Sequence, residues 1–192
     1  MNYHSLPTQI LKDTYDYYHA GELPLVVHLD DPATDVLLDF KHTKALYVTS
    51  ETSILEASHE MTVGNVHILL VTDELQRVIG VVSSEDILGE KPVKIIQEKN
   101  IMYKEVKVNM VMTHYTHMIS VAMNDVKKAK VGHIIQTLQD ARQYHALVIE
   151  ENPITEEPFI RGIFSLTQIS RQLDFNLSPH ELFTANLVQL QE

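Results

Sequence analysis

The sequence predicts a mixed α/β (α+β) fold made of two copies of one strand-helix-strand-strand-helix (β-α-β-β-α) unit, related by pseudo-twofold symmetry and packed through their sheets. Three observations predict it. The same order of apolar signals runs twice along the 192 residues. Each copy holds two short apolar strands, too small to bury a core alone, so the copies must cover each other. Each second strand ends in a glycine, two apolar residues and a serine, as GVVS (80 to 83) and again as GIFS (162 to 165).

In the first copy LYVT (46 to 49) reads as a strand, and Ile54, Ala57 and Met61 recur at helical spacing, which marks one buried face. The apolar run HILLVTD (67 to 73) ends in an acidic turn, RVIGVV (77 to 82) forms the partner strand, and a helix follows from Ser83. The second copy repeats this with MISVA (118 to 122), the helical face Val131, Ile134 and Leu138, then HALVIEE (145 to 151) and FIRGIF (159 to 164). Offsets between copies grow from 73 at Val48/Val121 through 77 at Met61/Leu138 and 78 at His67/His145 to 82 at Gly80/Gly162. Insertions account for the growth: one in AMNDVKKAK, the other in the hairpin ENPITEEPF, whose prolines and acids suit an exposed turn. The units are assigned as 32–99 and 107–175, with a linker near 99 to 107 in a segment that carries Pro92. An N-terminal extension, 1–31, contains YDYYH, whose tyrosines suit an interface. A C-terminal tail, 176–192, holds a helix that starts at Ser178, with Pro179 next and Glu181 three residues on.

Composition narrows the function. The absence of cysteine excludes disulfides, thiolate catalysis and sulfur-based zinc sites. A formal net charge of −11 opposes a phosphate backbone, because nucleic-acid affinity comes largely from lysine and arginine, so no nucleic-acid partner is expected. No apolar run is long enough to span a bilayer, and the start lacks a leader pattern, so the expectation is a cytoplasmic protein with no membrane partner. No phosphate-cradling GxxxxGK(S/T) or GxGxxG turn occurs, and no base stands at a telling distance from a nucleophile, so no enzyme is expected.

The motif GVVSSED (80 to 86), its second copy GIFSLTQ (162 to 168), and the lead-in segments DVLLDF (35 to 40) and MVMTHY (110 to 115) resemble a tandem cystathionine-β-synthase-domain pair (CBS pair, or Bateman module). The resemblance covers roughly residues 32 to 175. It implies a stand-alone, bacterial-type regulatory module that binds AMP, ADP, ATP or S-adenosylmethionine between its repeats, with no required cofactor. It further implies a homodimer that passes its signal to an unknown effector protein.

Carried over residue by residue, the resemblance assigns Ser83 to phosphate or ribose and Asp86 to the ribose hydroxyls, with Gly80 and Val82 leading into the site. A carboxylate suits that role because it accepts two hydroxyl hydrogens at once. Ser165 matches Ser83, but Gln168 stands where the acid is expected and makes weaker bonds, so the first site is expected to be the better one. Backbone groups that frame the adenine fall at His67 and Ile68 in one copy and at His145 and Ala146 in the other.

Plainer readings compete with these. Ser83 with Asp86, and Ser165 with Gln168, have the spacing of helix capping boxes, and capping is compatible with binding. His114 and His117, or His42 and His145, could hold a metal, yet no HExxH pair exists, and solvated or core histidines are commoner. Lys127, Lys128 and Lys130 read as a solvated helix start, and Arg161 is the better phosphate candidate. The alternative function is a ligand-free structural or protein-interaction module with the same architecture.

Overall fold

The computed structural model describes residues 23–190, so the YDYYH segment lies outside the described residues. In chain order the elements are β1 (Leu38–Asp39), β2 (Tyr47–Thr49), α1 (Ile54–Gly64), β3 (Ile68–Thr72), β4 (Val78–Ser83), α2 (Ser84–Leu88), α3 (Glu90–Lys99), α4 (Val108–Val111) and β5 (Thr113–His114). The second half adds β6 (Ile119–Ala122), α5 (Met123–Val126), α6 (Val131–Asp140), β7 (His145–Glu151), β8 (Pro158–Ser165), α7 (Leu166–Gln172) and α8 (Pro179–Thr184).

The strands form two four-stranded sheets, ordered β2-β3-β4-β5 and β1-β8-β7-β6. Both pair their first two long strands in parallel and the hairpin strands antiparallel, as expected of a duplicated unit. Alternation along β3 then builds three layers. Leu69 and Val71 face the helices of the first half, whereas Ile68 and Leu70 meet Val81, Leu147 and Ile163 between the sheets. Burial on both faces explains the unbroken apolar run of this strand. On the helical side, Ile54, Ala57 and Met61 enter the first core, and Val131, Ile134 and Leu138 enter the second.

Each sheet is finished by a two-residue edge strand supplied by a crossing arm. Gly80 of β4 pairs with His114 of β5, and Gly162 of β8 pairs with Asp39 of β1. A Cβ on Gly80 would lie 2.4 Å from the Thr113 carbonyl oxygen, and one on Gly162 would lie 2.5 Å from that of Leu38. The glycines therefore admit a neighbouring backbone, the use to which a missing side chain is commonly put in a sheet. The arms also carry core residues: Val106, Val108 and Val111 join the first core, while Val27, Leu29, Ala33, Val36 and Leu37 join the second. Packing thus groups 45–114 as one contiguous unit, and 27–40 with 118–190 as the other, whereas 32–99 and 107–175 are periods of the sequence.

Hydrogen-bond register corrects one alignment. Ile68 pairs with Ser83, and His145 pairs with Ser165, so the counterpart of His145 is Ile68 and the counterpart of His67 is Tyr144. The offset stays at 77 through this strand and reaches 82 only past the hairpin, whose longer second copy is held by Asn152 accepting from the backbone N–H of Ile154. A one-residue slip matters because it moves every side chain to the opposite face. One further difference concerns a helix. The helix expected from Ser83 breaks at Gly89 into α2 and α3, and Pro92 sits in the first turn of α3, where its missing N–H has no partner to lose. At the other end, α8 is capped by Ser178 and Glu181 as its spacing predicts, and it folds back on its own chain. There Gln139 donates to the Leu182 and Ala185 carbonyls, Leu182 is fully buried, and Phe183 stacks on Tyr144 at 4.6 Å.

Arg161 secures the second sheet rather than facing a ligand space. Its guanidinium donates to both Asp39 oxygens, each at 2.7 Å, and to Glu150, tying β1 to β8 and β7. Burial pushes the Asp39 carboxyl up, but bonds from Arg161 and the Lys41 N–H outweigh it and hold the group below its ordinary range. Arg161 likewise lowers Glu150. Lys127 and Lys130 also meet acids, Glu150 and Asp30.

Two outcomes are expected. Gly80→Ala and Gly162→Ala should each cost about 1–3 kcal/mol by forcing an arm off its strand; chemical denaturation measures it, and unchanged midpoints would contradict the crossing. Arg161→Met should cost on the order of 3 kcal/mol at neutral pH by stranding two carboxylates. Because Asp39 and Glu150 are lowered in the folded state, their contribution is complete above the ordinary carboxylate range and fades as pH falls through their folded values. Stability curves of the variant and the parent should therefore converge on acidification.

Candidate functional site

The pseudo-twofold axis passes between α2 and α7, where the equivalent residues Glu85 and Thr167 hydrogen-bond to each other at 3.0 Å. Symmetry therefore offers two half-sites, one where Ile68 faces the start of α7, the other where His145 faces the start of α2. The structure builds them differently.

Beside α7 lies an open cleft of about 820 Å³. Ser165, Gln168 and Arg171 line it from the second half, and His67 and Ile68 from the first; Leu38 and Val36 of the crossing arm, with Ile163, supply apolar wall. Ser165 is the N-cap residue of α7 but makes no side-chain cap hydrogen bond, so its hydroxyl is not consumed by the helix. Gln168 donates to Gln172 at 3.2 Å, and its own carbonyl oxygen accepts no hydrogen bond among the described residues. Burial, and then the nearby Arg171, hold His67 below the usual imidazole range, with Glu85 pulling the other way. The cleft thus combines an apolar floor with a hydroxyl, an amide and a guanidinium, a mixture that suits small-molecule sites.

The other half-site is closed. Ser83 accepts from the Asp86 N–H at 3.2 Å, while one Asp86 oxygen takes the Ser83 N–H and hydroxyl, both at 2.9 Å. Lys91 binds the second oxygen and donates to the Val111 carbonyl at 3.0 Å, so the carboxylate is fully engaged. His145 is buried beside this cluster, and its Nε2 has no hydrogen-bond partner among the described residues. Burial holds its imidazole below the ordinary value, with Asp86 and Glu85 opposing and Lys91 adding to the shift. Neither Ser83 nor Asp86 borders the open cleft, and both are buried. Val82 and Ala146 belong to the two helix-facing cores, and Gly80 faces the arm.

Among the sequence-derived candidates, the structure therefore lines the open cleft with His67, Ile68, Ser165 and Gln168, whereas Ser83, Asp86, His145 and Arg161 do not line it although Ser83 and His145 pair with Ile68 and Ser165 across the strands. The capping-box reading holds for Ser83 with Asp86 and not for Ser165. Sequence reasoning missed Arg171, though its signal was available: Ser165, Gln168 and Arg171 stand at intervals of three, which places them along one helical face. Among the described residues no group of three His, Asp or Glu side chains could hold a metal, and no helix is long and apolar enough to cross a membrane.

Comparisons with known proteins agree with this architecture. The family model for the CBS domain matches residues 39–92. No curated protein matches the chain. Among solved structures, the CBS-domain containing protein from Agrobacterium tumefaciens superposes with a TM-score of 0.51 at 18% identity, over 82% of this chain and 98% of that one. An uncharacterized conserved protein from Pyrococcus horikoshii gives 0.50 at 23% identity, over 73% and 90%. A conserved CBS domain protein of unknown function from Thermoplasma acidophilum gives 0.50 at 19% identity, over 81% and 77%. At such identities these likenesses speak for the fold alone. Residues 39–92 thus match the CBS-domain model, and the fold is the one these CBS-domain proteins share.

Proposed function

We propose that this chain is a regulatory, ligand-sensing module rather than an enzyme, and that one adenosine-based molecule occupies the open cleft between its halves. The observation that carries this reading is the cleft itself, about 820 Å³, within the range of small-molecule sites, with an uncommitted hydroxyl at Ser165. Val36, Leu38, Ile68 and Ile163 suit a purine face, the backbone at His67 and Ile68 suits its edge, and Ser165 with Gln168 suits a ribose. Both halves line the cleft, so a ligand there favours arrangements in which the halves stand at the right separation, and this coupling is what a sensor needs. The signal passes to an effector protein or through a homodimer.

In this reading the Ser83 and Asp86 half-site is structural, and each chain takes one ligand. Calorimetric titration with AMP, ADP, ATP and S-adenosylmethionine tests it: at least one should bind at one per chain, and Gln168→Leu should weaken it about tenfold through the lost amide bonds. Silence from all four at millimolar concentration, with no thermal shift, would leave the interaction-module alternative. Asp86→Ala should lower stability by about 1–2 kcal/mol through the lost cap and leave affinity unchanged. Loss of binding in that variant would move the site to the other half.

A further inference from the structure

We propose that Arg171 makes the open cleft selective for a phosphate-bearing adenosine ligand over an uncharged nucleoside or a cationic sulfonium such as S-adenosylmethionine. This rests on the placement of an adenosine ligand in the cleft and goes on to name its class.

Charge sets this cleft apart from the rest of the molecule. The protein carries 26 acidic residues against 15 lysines and arginines, yet no aspartate or glutamate is among the described residues lining it. The position where a ribose-binding acid would stand holds Gln168, and three residues on along the same face comes Arg171. Arg171 has no ion-pair partner among the described residues, in contrast to Arg77 on Asp73 and Arg161 on Asp39 and Glu150. With His67 held below the ordinary imidazole range, Arg171 is the permanent cation among the described residues lining the cleft at neutral pH.

The closed half-site supplies an internal comparison. The residue equivalent to Arg171, 82 positions earlier, is Gly89, where the helix breaks. There the acid is kept and a lysine neutralises it from α3. One copy thus retains the carboxylate and satisfies it internally; the other has an amide in its place and a guanidinium with no ion-pair partner among the described residues. A planar fork of donors fits a phosphate in two-point contact, and the missing carboxylate removes the group that would repel it. A sulfonium ligand would meet the reverse arrangement, a like charge in Arg171 and no carboxylate among the described residues lining the cleft, Glu85 lying in the adjoining cavity that Arg171 also borders.

Titration of the full chain with AMP, adenosine, S-adenosylmethionine and pyrophosphate, repeated with Arg171→Gln and Arg171→Lys, tests this. The parent should bind AMP at least about tenfold more tightly than adenosine, the value of one charge-assisted contact. Arg171→Gln should erase that margin while adenosine affinity holds, and Arg171→Lys should keep part of it. Equal binding of AMP and adenosine by the parent, tighter binding of S-adenosylmethionine, or an AMP margin that survives Arg171→Gln would each overturn the inference. Pyrophosphate separates it from the reading beneath it: binding that depends on Arg171 without any adenosine affinity would refute the adenosine ligand and keep the phosphate site, and no binding of either kind would refute both.

Discussion

The architecture depends on two backbone crossings. At Gly80 and at Gly162 an arm lies so close to the sheet that a methyl group would stand within 2.5 Å of a carbonyl oxygen. The remaining architecture requires the arms to be held there. They deliver Val108 and Val111 to one core and Val36 and Leu37 to the other, and the second arm brings Asp39 to the Arg161 guanidinium. The arm bearing Leu38 then becomes one wall of the open cleft, so the crossing that completes the sheet also shapes the cleft.

Symmetry of the backbone does not extend to the chemistry of the two half-sites. Equivalent serines open equivalent helices, yet one is locked in a reciprocal cap and the other has no cap bond. The difference traces to the residue three positions beyond each serine: an aspartate that a helix start can use and Lys91 can neutralise, or a glutamine that bonds its own helix instead. A duplicated fold can in this way keep one crevice for packing and one for contact with solvent, with no change of topology.

Strand and helix order was legible because burial imposes periodicity, as in Leu69 and Val71 against Ile68 and Leu70. The cap at Ser178 was legible because it is local. Register was not: HILLVTD and HALVIEE both begin with histidine, and a shift by one leaves two apolar runs looking alike, whereas the ladder to Ser83 and Ser165 distinguishes them. Which half-site is open was hidden for a similar reason. It turns on Lys91, which reaches Asp86 only because the chain breaks at Gly89 and restarts as α3; that Arg161 is spent inside the sheet was hidden likewise, since its partner Asp39 lies 122 residues away.

The nesting of the two units bears on how the chain is made. The first unit, 45–114, is contiguous, and its core closes with short-range contacts as soon as β5 has been synthesised. The second cannot close then: β1 must wait for β8, and Val27 for Leu173, across well over a hundred residues. Its arm, with Val36 and Leu37 apolar, is thus made before the first unit and buried after it, an exposure during biosynthesis that the finished molecule no longer shows.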